Sequence, residues 1–404
     1  MKVGIIGGGA AGFFSAVTIA ETNKSCEIII LEKSPNVLAK VRVSGGGRCN
    51  VTNSLPDVKE FVKNYPRGNK ELLSVFTRFS NADTVNWFET RGVKLKAEPD
   101  GRMFPVTNNS QTIIDLFLNL SKKYKIKIVT GFDVNEIKLS KDIRFEVKSR
   151  GGDSYKFDKL LVAAGGFSTR EKYRWIESLG HTIAEPVPSL FTLNCKDTLL
   201  RDLQGVSTQN AEMKIPGTKL NAKGDLLITH WGFSGPAILK LSAFGARMFS
   251  EMDYKFKLEI KWTGLDVLKE TERAREENPL RQVSTNPFTG FSRRFWEALI
   301  EKAEINSQKR WNELSKKETE RLILVLTKSV FAINGKSTFK EEFVTAGGIN
   351  LKEIDFRTMQ SKVVPGLFFA GEILDIDGIT GGFNFQSAWS AGYIAGCEIG
   401  KGKT

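Results

Sequence analysis

Gly7, Gly9 and Gly12 fall at fixed intervals where the first apolar run of the chain, "KVGII", gives way to an alanine-rich one, "AAGFFSAVTIAE". A Gly-x-Gly-x-x-Gly turn between a strand and a helix is built for a pyrophosphate. The first glycine makes the tight turn, the second lets phosphates reach the backbone, and the third lets helix pack on strand. The phosphates are expected at the helix N-terminus, where unpaired N–H groups and the dipole favour negative charge. A second apolar run, "CEIIILEKS", ends in Glu32, 20 residues past Gly12. From there a carboxylate accepts from the adenosine ribose hydroxyls and selects against a 2′-phosphate. Ala10, Ala11 and Lys33 flank these positions and are expected in the same site. The nucleotide is therefore FAD or NAD.

"SGGGRCNVTN", from Ser44 to Asn53, decides between them. An NAD domain leads from its second strand into further regular strand–helix units, whereas this chain runs into a glycine-rich loop. FAD is longer than one strand–helix–strand unit. The backbone of Gly45, Gly46 and Gly47 offers N–H groups and a side-chain-free approach to its flavin half. Further along, "DKLLVAAGGFS" predicts a buried strand ending at Ala164, Gly165 and Gly166, where a cofactor can lie against the main chain. Near the C-terminus, "GLFFAGEILDIDGITGGFNFQSAWSAGYIAG" predicts a strand, an acidic turn and a helix from about Asn384 to Gly396. Glu372, after Gly371, is placed to accept from ribityl hydroxyls. The helix start at Gly382, Phe383 and Asn384 is placed to stabilise charge on the pyrimidine side of a reduced flavin. "DIDG" lacks the third acid and the twelfth-position glutamate of a calcium loop, and no metal is expected.

Catalytic candidates are few. His230, in "THWGFSGPAIL", stands in a turn and is the candidate to relay a proton or hydrogen-bond the flavin. His181 is expected at the surface or as a helix cap. Cys49 invites a redox role, but disulfide-reducing flavoproteins need two neighbouring cysteines, and Cys26, Cys195 and Cys397 are remote from it in sequence. Packing is its expected role. No second Gly-x-Gly-x-x-Gly opens a strand–helix unit, so NAD(P)H must visit the flavin transiently, or electrons must leave by O2.

The elements that position these residues follow from the rest of the chain. Its 404 residues exceed what one core usually serves, and 41% hydrophobic content supplies the material. Apolar stretches fall short of a bilayer span, and scattered cysteines fit a reducing compartment, so a cytoplasmic protein is expected. Net charge is +13, and residues 191–340 carry 25 Lys and Arg against 18 Asp and Glu. A basic surface suits nucleic acid or other anions, with Arg293–Arg294, Lys309–Arg310 and Lys316–Lys317 as candidate phosphate contacts. Nearby acids such as Glu297 and Glu318 offer those cations ordinary ion pairs instead. In the same region the strand–helix rhythm breaks. "FTLNCKD", "AEMKIPG", "DLLITH" and "YKFKLEIKW" predict short strands of a small barrel or curled sheet, and roughly Asp266 to Phe331 is helical in period. The fold class is α/β: a Rossmann-like FAD-binding domain at 1–189 and 341–404, interrupted at 190–340 by a small β-barrel with a helical subdomain.

Together "SGGGRCNVTN", "THWGFSGPAIL", "VTAGGI", "TMQSK" and "GLFFAGEILDIDGITGGFNFQSAWSAG" resemble the BaiN/RdsA-type NAD(P)/FAD-dependent flavoproteins, in order and over essentially the whole chain. The resemblance implies a glutathione-reductase-like FAD domain with an inserted domain. It places Gly7, Gly9, Ala11 and Gly12 at pyrophosphate and Glu32 at ribose. It further implies that Lys40, Ser44 to Gly47, Arg48, Cys49 and Asn50 line the cofactor. Val134 is implied to meet adenine through its main chain, and Gly371, Glu372 and Asp377 to follow the ribityl chain. Where many relatives have "GLSGP", this chain has Phe233 in "GFSGP". Members of the family have been associated with reducing conjugated C=C bonds in steroid-like acids, forming dihydrouridine in ribosomal RNA, and oxidising a small aminoketone. The leading expectation is a C=C reductase recharged by NAD(P)H, acting on a small molecule or on RNA. An amine or aminoketone oxidase using O2, and an FAD-stabilised RNA-binding factor without turnover, are the alternatives.

Overall fold

The computed structural model describes residues 1–140, 144–200, 202–337 and 344–402. It divides into two compact units, Met1–Ser189 with Lys340–Thr404, and Leu190–Phe339.

The first unit is organised by β1 (Lys2–Ile6), an apolar strand buried on both faces, as a central parallel strand must be. It pairs in parallel with β2 (Glu27–Leu31) on one side and with Lys159–Val162 on the other, Ile5 lying opposite Ile30 and Leu161. Lys127–Val129 extends the sheet beyond β2, and Leu367–Phe369 extends it beyond Lys159–Val162. Two short antiparallel strands, Gln360–Ser361 and Ile354–Asp355, finish that edge. Between β1 and β2 runs α1 (Ala10–Thr22), buried without a break from Ala11 to Ala20. Such burial needs close partners, and the C-terminal helix Phe383–Gly400 supplies one. Its Gly392, Gly396 and Gly400 recur every fourth residue and so share one face. A Cβ on Gly396 would stand 2.7 Å from Thr18 Cβ, and one on Gly400 2.6 Å from Thr22 Cβ. Ser15 Oγ also donates to the Gly392 carbonyl at 2.9 Å. That helix outruns the sequence expectation of Asn384 to Gly396 because its last glycines pack against α1 rather than stop it. Phe14, Trp87, Phe117 and Trp389 fill the core beside it, ring against ring.

The second unit carries a closed barrel whose strands follow the order Thr192–Cys195, Gly232–Ser234, Asn221–Ile228, Ser207–Lys214, Lys255–Lys261 and Ser329–Ser337. The stretch expected to be helical to Phe331 splits. Helices cover Val267–Glu277, Arg293–Lys302 and Lys316–Thr327, and the last barrel strand begins at Ser329. Alternating burial along Ser329–Ser337 shows the period of two that a barrel wall imposes. Buried Trp262, Trp296 and Trp311 build this unit's core.

Candidate functional site

The three fingerprint glycines meet different surroundings. Gly7 holds φ +111, and a Cβ there would lie 2.3 Å from the Ala163 carbonyl oxygen. A Cβ on Gly12 would lie 2.0 Å from the Gly7 carbonyl oxygen. Protein packing alone therefore requires both. At Gly9 an added Cβ would meet nothing within 4 Å, and its φ of −97 suits any residue. Gly9 caps α1, with no side-chain cap on the helix and no acid in its first turn. Its unpaired N–H groups face that opening, with Ala10 and Ala11 beginning the turn.

Glu32 follows β2. Its Oε2 accepts from the Gly8 N–H at 2.7 Å, and its Oε1 accepts from the Ser34 N–H at 2.8 Å. The carboxylate is thus held beside the glycine turn. Lys33 is exposed and pairs with Asp133 at 3.4 Å. The Phe132 N–H donates to the Glu32 carbonyl at 2.9 Å, which draws the segment leading to buried Val134 alongside.

The second glycine triplet follows a short helix that the sequence did not reveal, beginning at Ala39. Ser44 breaks it with ψ 147, and Gly45, Gly46 and Gly47 then hold φ of +57, +68 and +83. A Cβ on Gly45 would press on Phe104 at 2.8 Å, whereas one on Gly46 or Gly47 would meet nothing within 4 Å. Arg48 pairs with Glu98 at 2.6 Å, its guanidinium 4.0 Å over the Phe104 ring. Cys49 is fully buried, and burial pushes its thiol up to about 12. A protonated, enclosed thiol is a packing group, not a nucleophile. With its amide turned to satisfy both neighbours, Asn50 donates to the Thr52 carbonyl at 3.0 Å and accepts from the Gly382 N–H at 2.9 Å.

The C-terminal loop closes against these pieces. Gly371 holds φ +79, and a Cβ there would reach the Ala11 Cβ at 3.1 Å. Glu372 accepts from Lys40 Nζ at 2.6 Å and from the Thr345 N–H at 3.1 Å. Gly166 lies against Thr345, while Gly165, at φ +75, borders open space; Ala164 precedes them, partly buried. Gly382 must be glycine, since a Cβ would fall 2.4 Å from the Thr52 carbonyl. Phe383 is buried against Phe61 and Tyr65. Asn384 spends its amide on Gly378, accepting from its N–H at 2.8 Å and donating to its carbonyl at 2.9 Å. Asp377 is fully buried, gripped by the Arg67 guanidinium and by Ser189 Oγ at 2.7 Å. Burial pushes its carboxyl up, and Arg67 opposes that. Arg67, Ser189 and Thr345 carried no sequence signal of these contacts, because their partners are remote along the chain.

The histidines depart from one another. His181, expected at the surface or as a helix cap, is buried: one ring nitrogen is 2.9 Å from Glu353 and the other 2.9 Å from Ser361 Oγ. Burial pushes its pKa down. His230 stands in the second unit, exposed at the turn between Asn221–Ile228 and Gly232–Ser234. Among the described residues no cluster of His, Cys, Asp or Glu is arranged to hold a metal ion, and no helix is long and apolar enough to cross a membrane.

This chain is 28% identical over 98% of its length to a 3-dehydro-bile acid delta(4,6)-reductase of Clostridium scindens, 98% of which is covered. It is 29% identical to a ribosomal RNA dihydrouridine synthase of Haemophilus influenzae, again over 98% of each chain. Among solved structures it resembles a 3-ketosteroid delta1-dehydrogenase from Sterolibacterium denitrificans (TM-score 0.53, 11% identity, 99% of each chain). It also resembles a 3-ketosteroid-delta4-(5alpha)-dehydrogenase from Rhodococcus jostii RHA1 (TM-score 0.51, 11% identity, 98% of this chain and 96% of the other). A family model described as the HI0933-like protein Rossmann domain matches residues 1–398, and this chain belongs to that family.

Proposed function

We propose that this protein is an FAD-dependent oxidoreductase that reduces a C=C bond conjugated to a carbonyl, with a uridine of ribosomal RNA as its substrate. The observation that carries the cofactor is the vacancy at Gly9. Of the three fingerprint glycines it alone is not required by protein contacts, and it lies at an open helix N-terminus with the Glu32 carboxylate fixed on the N–H of neighbouring Gly8. That arrangement suits a pyrophosphate with an adenosine ribose beside it. When bound, FAD supplies a two-electron carrier between NAD(P)H and the substrate double bond.

The chain's own residues have distinct tasks in this scheme. The N–H groups of Gly9, Ala10 and Ala11 hold phosphate, and Glu32 accepts from the ribose. Gly46, Gly47 and Gly165 leave backbone open to a close-lying ligand. The Lys40–Glu372 pair presents a carboxylate already oriented for ribityl hydroxyls. His230, an exposed imidazole, is the proposed proton carrier. Full-length similarity to two C=C-reducing enzymes supports the reaction class, and the net charge of +13 favours the polyanionic substrate.

Anaerobic oxidation of NADH or NADPH by the purified protein tests the reaction class. It should accelerate when an unmodified ribosomal RNA transcript or a small conjugated enone is added. Turnover that instead requires O2 and an amine would overturn the proposal in favour of an oxidase.

A further inference from the structure

Buried tryptophans in the second unit are ordinary core; Trp231 is not. The residue is 59% exposed, and no aromatic ring of the described residues stacks on it. The backbone beneath it is nevertheless fixed. The Thr229 N–H donates to the Gly232 carbonyl at 2.8 Å, closing a tight turn with His230 and Trp231 at its tip. The Trp231 carbonyl accepts from the Cys195 N–H at 2.8 Å, tying the turn to the neighbouring strand. Gly232, at φ +141, fits so closely that a Cβ would lie 2.3 Å from the Leu193 carbonyl oxygen. A rigid turn that holds an indole face in water is a poor way to build a core and a good way to present a flat surface.

Two cations stand on segments hydrogen-bonded to this hairpin. Lys196 follows Cys195, is exposed, and has no ion-pair partner among the described residues. On the other flank the Gly205 N–H donates to the Ile228 carbonyl at 2.9 Å, which brings Gln204 beside the end of the same hairpin. The exposed Arg294 guanidinium donates to the Gln204 carbonyl at 3.1 Å and meets no carboxylate among the described residues. Of the nearby acids, Asp197 is neutralised by Lys302 at 3.2 Å, leaving Asp202 exposed. Within the basic pairs noted in the sequence, Arg293 and Lys309 differ from Arg294, for Arg293 is tied to Glu297 at 2.8 Å and Lys309 to Glu318 at 2.7 Å.

We infer that the His230–Trp231 turn is an RNA-contact surface, on which an unpaired base stacks against Trp231 while Lys196 and Arg294 meet the flanking phosphates. An aromatic face between cations is what single-stranded RNA recognition uses, since every base has a π-face and every linkage a charge. The inference rests on the proposed RNA substrate.

The test uses the FAD-loaded protein and a fluorescein-labelled, uridine-rich single-stranded RNA oligonucleotide, with binding followed by anisotropy. Trp231→Ala should weaken binding about 5- to 150-fold, the range for loss of one stacked base. Lys196→Gln with Arg294→Gln should flatten the plot of log affinity against log salt by about 1.4, for two phosphate contacts on a single strand. Unlabelled RNA should quench the protein's tryptophan emission, and Trp231→Phe, which still stacks, should bind while losing that quenching. Unchanged affinity in Trp231→Ala, quenching preserved in Trp231→Phe, or a parent protein that does not bind the RNA would each overturn the inference. RNA binding through Trp231 in a protein without any reductase turnover would uphold this surface and refute the reductase proposal.

Discussion

Replacing Gly9 separates what the ligand requires from what the fold requires. In Gly9→Val the new Cβ meets no protein atom within 4 Å beyond its chain neighbours, at a φ of −97 that a β-branched residue accepts. Loss of a good helix cap costs about 1 kcal/mol, so the FAD-stripped protein should keep nearly all its stability. Gly12→Ala is the opposite case. Its Cβ would sit 2.0 Å from a backbone oxygen that cannot move without separating α1 from β1. Overpacking costs about 1–3 kcal/mol, and a clash with backbone that cannot give way stands at the upper end of that range. For FAD, the valine methyls would block approach to the helix N-terminus. Two charge-assisted hydrogen bonds lost at roughly 1.5–3 kcal/mol each weaken binding by about 10²- to 10⁴-fold. Urea titration of the stripped proteins gives the stabilities, and titration with FAD, followed by flavin fluorescence, gives the affinities. A Gly9→Val protein that binds FAD as the parent does would refute the assignment of that space to the pyrophosphate. So would a stripped Gly9→Val protein as unstable as Gly12→Ala.

Other consequences follow from single contacts. Glu32→Ala should weaken FAD binding by about 1–3 kcal/mol through lost ribose hydrogen bonds, measured by the same titration. Arg67→Ala removes the cation from the fully buried Asp377, leaving it the Ser189 hydroxyl, and should cost about 3–5 kcal/mol in urea unfolding. With the Asp377 carboxyl already pushed up by burial, that variant should lose further stability as pH rises through the raised value. Burial opposes the Glu318 charge, but hydrogen bonds from Lys309 and Ser315 outweigh it and hold the carboxyl at about 2. Its contribution is therefore complete above the ordinary glutamate value and should be lost as pH falls from there toward 2. Allowing for solvent screening, the loss should be about 2 kcal/mol in denaturation at graded pH, and absent in Glu318→Gln.

Local patterns made the glycine turns and the carboxylate beside them legible in the sequence. The spacing of Gly7, Gly9, Gly12 and Glu32 is dictated by one turn between adjacent elements, so no distant residue is needed to recognise it. The barrel was legible in part, because two-residue periodicity marks a strand wall. Its last strand, Ser329–Ser337, was missed because it follows helix Lys316–Thr327 almost without a linker. Glycine misled where it serves packing: Gly396 resembles a helix stop, but it is a contact point for Thr18 and Ser15. What sequence could not show was side-chain commitment. Asp377 and Asn384 stand in a ligand-like motif, yet Arg67, Ser189 and Gly378 occupy their polar atoms. Those contacts join residues up to hundreds of positions apart, and no spacing rule reaches across such distances.

The central claim is that electrons held on FAD in this protein reduce a C=C bond in RNA. Its most direct test is a single turnover without O2. The protein is reduced by one equivalent of NADPH and mixed with an unmodified ribosomal RNA transcript, and the RNA is digested for mass spectrometry. The flavin absorbance should recover as one uridine gains two hydrogens. Flavin that stays reduced in the presence of the transcript, with no dihydrouridine formed, would contradict it.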